Sequence, residues 1–377
     1  MRAQARFLFA LLPSPGKMRP MKVDRDNSNR GASGLLVEVQ RGSIVESRHC
    51  GHLSVVDSKG EQIAEIGSPE TVTFLRSSGK PFQAIPLVAS GAADRFGFSE
   101  KEIALACGSH SGEPLHVATV KSMLQKTGLA ESALKCGTHD PFNTEEARKL
   151  ARKGEPPSVL QNNCSGKHAG MLALALHVGA PTDSYDQLSN PAQQEILQVV
   201  AEFSGVPVDE IAIGTDGCGV PVFGISVSSM ALMYARLVAP PNSFSSAVRN
   251  ACQRIIAAMI DFPEMVGGTK DRLDTELIKA GSGRLISKIG AEGVYTVGVL
   301  PCEQWPKGLG LALKIEDGDD RRARPPAVIE ALRQLNVLDD HTLAALAPYA
   351  APSVTNHHGE KVGRVRAAFK LRPREIS

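Results

Sequence analysis

The sequence has no C-x-x-C pair, no H-E-x-x-H, no internal repeat, no coiled-coil heptads and no long low-complexity tract. Paired-cysteine zinc ribbons, zincin-type metalloproteases and solenoids are thereby excluded. Long hydrophobic runs are missing too. The apolar run near the start, Phe7 to Leu12, is at the lower limit of a signal-peptide core and far too short to span a bilayer. Charge of one sign is equally scarce: Lys plus Arg number 42 and Asp plus Glu 40, a net +2. Without a basic block interleaved with aromatics there is no electrostatic footprint for nucleic acid, and a small neutral or zwitterionic ligand suits the surface better. The seven cysteines, at 50, 107, 136, 164, 218, 252 and 302, are odd in number and unclustered. They argue against a disulfide framework and for a reducing, cytoplasmic setting.

What is present is a globular chain of 377 residues, 42% hydrophobic and 22% charged, long enough for two domains or one large one. Residues 1–34, with Arg2, Arg6, Pro13, Pro15 and Gly16, read as a disordered extension or an over-long start, Met18 and Met21 being alternative initiators. Residues 35–377 read as a single large α+β domain. From 35 to 75 apolar and polar residues alternate between turns such as Asp57-Ser58-Lys59-Gly60, the pattern of antiparallel hairpins. Residues 77–280 are mainly helical. Pro114 opens one helix with Val117, Val120 and Leu124 at helical spacing, and Asn190-Pro191 opens another, with Ile196, Val200 and Phe203 on one face and Gly205 as its stop. Strands return at 284–288, 293–298 and 309–315, followed by a helix from Pro326 to Leu338. A sheet built from both ends of the chain around a helical middle follows.

Four segments can carry chemistry. In Arg76-Ser77-Ser78-Gly79-Lys80-Pro81, Pro81 must lie in the first turn of a helix. Ser77 and Lys80 then stand three residues apart, so an amine with a burial-lowered pKa could take the hydroxyl proton. The plainer alternative is a capped helix with an exposed lysine. Cys107-Gly108-Ser109-His110-Ser111-Gly112-Glu113-Pro114 reads as a strand ending in small residues before a helix, with Ser109 or His110 facing a ligand and Ser111 as a possible cap.

The third segment is Asn162-Asn163-Cys164-Ser165-Gly166-Lys167-His168, paired at a distance with Thr215-Asp216-Gly217-Cys218-Gly219. Each corner offers a thiol beside Lys167, His168 or Asp216, suited to a soft metal such as zinc or to a substrate ammonium, unless these are simply buried cysteines in loops. The fourth is Ser287-Lys288-Ile289-Gly290 in a late strand, either an edge-strand guard or a loose counterpart of the K-T-G strand of S-x-x-K serine hydrolases.

These segments in this order, with Gly267-Gly268-Thr269 and Arg272-Leu273-Asp274-Thr275 between the third and fourth, resemble the bacterial and fungal type II L-asparaginase family that includes the thermolabile rhizobial enzyme. The resemblance covers roughly residues 34 to 365. It implies a serine hydrolase of the penicillin-binding and β-lactamase fold that converts L-asparagine to L-aspartate and ammonia. It further implies Ser77 with Lys80 as one serine–lysine tandem, Ser109 with Lys288 as a second, and Cys164, Lys167 and Cys218 as ligands of one zinc ion. Arg76, His168 and Asp216 are candidates for holding the substrate's α-carboxylate and α-ammonium. The resemblance also implies a homodimer. Glutamine or a D-Ala peptide as substrate, or a zinc-stabilised amino-acid binding protein without catalysis, are the competing readings.

Overall fold

The computed structural model describes residues 31–373, so the expected extension lies, up to residue 30, outside the described residues. In chain order come strands β1 (Gly34–Arg41), β2 (Ile44–Val56), β3 (Gln62–Ile66) and β4 (Val72–Phe74), then helices α1 (Lys80–Ala89), α2 (Ala92–Arg95), α3 (Glu100–Ala106), α4 (Pro114–Thr127), α5 (Thr144–Lys153), α6 (Ser165–Val178) and α7 (Pro191–Ser204). A short β5 (Ala212–Thr215) and β6 (Pro221–Ser226) lead into α8 (Val227–Val238), α9 (Ser246–Asp261), α10 (Pro263–Val266) and α11 (Leu273–Ala280). Strands β7 (Leu285–Ile289), β8 (Val294–Val299) and β9 (Leu309–Ile315) follow, then α12 (Arg324–Gln334), α13 (Asp340–Ala345), α14 (Ala347–Ala350), β10 (Ser353–Thr355), β11 (Lys361–Ala367) and β12 (Arg372–Pro373). The class is α+β, as expected. No helix among the described residues is long and apolar enough to cross a membrane.

The contacts divide the chain into two compact units, one of Gly79–Phe223 with Asn242–Thr275, the other of Gly224–Pro241 with the described residues 31–78 and 276–373. The second unit is built on an antiparallel sheet in the order β10-β11-β1-β2-β9-β8-β7, with β3 on β2 and β12 on β3. N-terminal and C-terminal strands therefore interleave, because β2 pairs β9 from Gly51 with Ile315 to Val56 with Gly310. Helix α8 lies on this sheet so closely that a Cβ at Gly310 would stand 1.8 Å from the Ala231 carbonyl oxygen. We expect Gly310→Ala to destabilise by about 3 kcal/mol or more, the upper range for overpacking, read as a lowered unfolding midpoint. Tyr234, fully buried on α8, donates to the Ser78 carbonyl at 2.7 Å and so anchors the segment that leads into α1.

The first unit is organised around α6, which is buried continuously from Ser165 to Ala175. A helix apolar on all sides belongs in a core. Here Gly166 lets it approach α3, since a Cβ there would meet the Leu105 carbonyl at 2.7 Å. Helix α7 buries Ile196, Val200 and Phe203 and stops at Gly205 with φ 74, as the sequence implied. Three local expectations are corrected. The segment before Cys107 is helix α3, nucleated by a Ser99/Glu102 capping box, rather than a strand. Glu113, boxed with His116, caps α4 in place of Ser111. Helix α12 ends at Gln334, short of Leu338, because Asn336 turns to φ 54.

Candidate active site

Helix α1 begins at Lys80 with Pro81 in its first turn, where the missing N–H costs nothing. Lys80 is 1% exposed and its Nζ lies 2.9 Å from Ser109 Oγ, 2.7 Å from the Gly108 carbonyl and 3.1 Å from the Asn163 carbonyl. An ammonium would donate to all three. A neutral amine would keep its two N–H bonds to the carbonyls and offer its lone pair to the Ser109 hydroxyl, the arrangement of a base and an activated serine. Burial pushes the Lys80 amine below its usual range, against the pull of Cys164. The exposed-lysine alternative for this motif is therefore out.

Ser77 precedes Lys80 by three residues but stands in a separate 3-10 turn, Arg76–Gly79, and is half-buried. Arg76, immediately before it, is held at φ 50, a left-handed conformation that is uncommon for a non-glycine residue and accumulates at functional turns. Its guanidinium reaches Glu292 at 3.9 Å. Within the same unit Lys288 sits on β7, fully buried, with Nζ 3.2 Å from the Ile289 carbonyl. A buried lysine cannot act as a solvent-facing edge guard.

The first unit also gathers the expected metal corner. Cys164 precedes α6, Lys167 lies in its first turn, and the Lys167 Nζ is 2.9 Å from Cys218 Sγ. Cys218 rides on a tight turn closed by the Gly219 N–H to the Asp216 carbonyl at 2.9 Å, with Gly219 at φ 87. The hydrogen bond from Cys218 holds the Cys164 thiol well below its ordinary range, helped by the Lys80 and Lys167 charges against the cost of burial. That pairing, with burial, pushes Cys218 up. Burial works against a charged Lys167, yet the sulfurs and Asp216 outweigh it and hold the amine above its usual range. Two sulfurs and an amine make a donor set that fits zinc, provided protons leave as the metal enters. Among the described residues no cluster of three or more His, Cys, Asp or Glu side chains is arranged for a metal.

His168, one residue along α6, is fully buried with Nδ1 2.7 Å from the Tyr185 hydroxyl. Because Tyr185 accepts the Lys135 N–H at 2.8 Å, its own proton points to Nδ1, which assigns the ring proton to Nε2. Burial, then the Lys167 and Lys80 charges, keep the ring neutral. Its Nε2 has no hydrogen-bond partner among the described residues, so a buried donor awaits an acceptor.

The profile of the L-asparaginase II family matches residues 37–367. The chain belongs to the L-asparaginase II family. As a member it is an amidohydrolase. No curated protein matches it at a significant level. Solved structures that resemble this family member are distant. A probable glutaminase from Bacillus subtilis, complexed with 6-diazo-5-oxo-L-norleucine, is 13% identical, with 76% of this chain and 85% of that one covered at a TM-score of 0.36. A β-lactamase from Mycobacterium bovis is 14% identical, with 80% and 95% covered at a TM-score of 0.37.

In this L-asparaginase II family member the structure thus brings Lys80, Ser109, Cys164, Lys167, His168 and Cys218 into one unit, with Asp216 on the Cys218 turn, while Arg76, Ser77 and Lys288 belong to the other. Sequence reasoning missed the Lys80 to Ser109 bond, the Asn163 carbonyl, Tyr185 and Arg272. Asn163 and Arg272 lay inside motifs already singled out. Nothing local marked Tyr185.

Proposed function

We propose that this chain hydrolyses the side-chain amide of L-asparagine to L-aspartate and ammonia through a serine–lysine acyl-enzyme. The observation that carries the reading is the buried Lys80 amine 2.9 Å from a serine hydroxyl, in a member of the L-asparaginase II family. Ser77 Oγ attacks the amide carbon and its proton passes to Lys80, with Ser109 completing the proton path. The tetrahedral intermediate expels nitrogen, which takes the proton back and leaves as ammonia. Water then attacks the ester, giving up a proton to Lys80 and returning Ser77 as aspartate departs. Lys288 polarises or relays. The unpartnered His168 Nε2–H supports its role as a donor to the α-carboxylate, alongside Arg76, with Asp216 for the α-ammonium.

Cys164, Lys167 and Cys218 would hold one zinc ion, whose positive charge supplies orientation of the bound substrate. Metal-replete protein is expected to contain one zinc per chain by elemental analysis. Cys164→Ser or Cys218→Ser should lose it and raise KM for asparagine more than they lower kcat. Absence of zinc sinks the site, and an unchanged KM with lost kcat moves the ion into the chemical step. The function itself is tested by ammonia release from asparagine, with glutamine, a D-Ala peptide and a β-lactam in parallel. No turnover of any amide leaves an amino-acid binding protein.

A further inference from the structure

The peptide of Ser109 is pinned from both sides. Its N–H donates to the Val266 carbonyl at 2.8 Å, and its own carbonyl accepts from Arg272 Nη2 at 2.7 Å. The other arm of the same guanidinium, Nη1, donates to Ser111 Oγ at 2.9 Å, and that hydroxyl donates to the Gly267 carbonyl at 2.9 Å. The guanidinium carbon stands 5.7 Å from the Phe142 ring centroid. Asp271, the residue before Arg272, is held at φ 55, so the arginine is presented from a left-handed turn. Two residues further along the 109–113 loop, Glu113 takes the Thr269 N–H at 3.0 Å and its hydroxyl at 2.8 Å.

The rest of the loop is fixed by neutral histidines. Gly112 N–H donates to His110 Nδ1 at 3.2 Å, which leaves His110 Nε2–H for Ser165 Oγ at 2.9 Å. Glu113 N–H donates to His116 Nδ1 at 3.1 Å, which leaves Nε2–H for the Glu264 carbonyl at 2.9 Å. Burial, foremost, keeps both rings below their usual range. None of these bonds touches the backbone of Ser109. Arg272 does.

We propose that Arg272 is the positioning residue for Ser109, its planar fork holding the Ser109 carbonyl and the Ser111 hydroxyl so that the Ser109 hydroxyl stays within hydrogen-bond distance of Lys80. This rests on the proposed use of the Lys80 and Ser109 pair in amide hydrolysis. A fork that spans two acceptors is not reproduced by the single ammonium of lysine. A misplacement of about 1 Å at a reacting pair costs roughly 100-fold in rate.

The test compares wild type, Arg272→Ala and Arg272→Lys for kcat, KM, unfolding midpoint and amide hydrogen exchange of the 107–114 segment. Expected in Arg272→Ala are a kcat lower by about 100-fold, a KM within about threefold, and faster exchange of 107–114. Arg272→Lys should recover only part of the loss, and millimolar guanidinium should raise kcat of Arg272→Ala but not of wild type. A kcat within about threefold of wild type overturns the assignment, as does a raised KM with unchanged kcat, which would make Arg272 a direct substrate contact. A loss that follows the unfolding midpoint and ignores guanidinium reduces Arg272 to a structural residue and also overturns it. If wild type hydrolyses no amide, the proposed function fails by itself, and the exchange measurement still decides whether Arg272 holds the Ser109 loop.

Discussion

Ser77→Ala is expected to lower asparagine turnover by on the order of 10⁴-fold, and Lys80→Ala by a similar factor, because members of a nucleophile and base unit have no substitutes. The two variants differ in what they do to the fold. Ser77 lies on a half-buried turn, where water can take the place of its hydroxyl. Removing the Lys80 amine takes the side-chain donor from the Gly108 and Asn163 carbonyls, at about 1–3 kcal/mol for each that stays buried without a partner. Lys80→Ala should therefore also lower the unfolding midpoint, and Ser77→Ala should not. Mass spectrometry of the enzyme quenched during asparagine turnover should show the acyl adduct on the peptide holding Ser77. A Ser77→Ala enzyme that loses only about 100-fold or less transfers the nucleophile to Ser109, the serine hydrogen-bonded to the base.

Local pattern carried most strands of the sheet and the longer helices that open on a proline, but not β10 to β12 or most of the other helices. The alternation at 35–75 and 284–316 marked β1 to β3 and β7 to β9, and the proline starts of α4 and α7 were legible because proline fits only the first turn. The strand expected before Cys107 failed for a definable reason: Ile103 to Ala106 is a short apolar run that periodicity alone cannot assign, and the Ser99/Glu102 box upstream decides it for helix. Strands β5 and β6 were hidden inside the helical middle. At the site, sequence spacing picked out residues that lie close along the chain, such as Cys164, Lys167 and His168 on one end of α6. Pairings across the chain were not legible. The Lys80 to Ser109 bond joins residues 29 apart, and the Arg272 to Ser109 bond residues 163 apart, separations over which no local sequence pattern sets a pairing. Ser111, singled out as a cap, turns out to serve the Arg272 fork instead.

Glutamine should be a poor substrate, with kcat/KM at least about 100-fold below that for asparagine and the loss visible in kcat as well as KM. The two amides differ by one methylene between the α-carbon groups and the amide. In an apolar slot that methylene is worth only about 1–3 kcal/mol, and it would be felt mainly in binding. A clamp on the α-carbon groups acts differently. If, as proposed, Arg76 and the buried His168 Nε2–H hold the carboxylate and Asp216 the ammonium, the α-carbon is fixed and the extra methylene displaces the amide carbon from Ser77 by about a bond length. His168 has little freedom to follow, since it is fully buried on α6 and tied to Tyr185 at 2.7 Å. His168→Phe, which keeps a ring but removes its donor, should accordingly raise KM for asparagine and narrow the gap between the two amides. Steady-state kinetics on both substrates decide it: equal kcat/KM values in the wild type would remove the clamp and leave a general amidohydrolase working through the same serine and lysine.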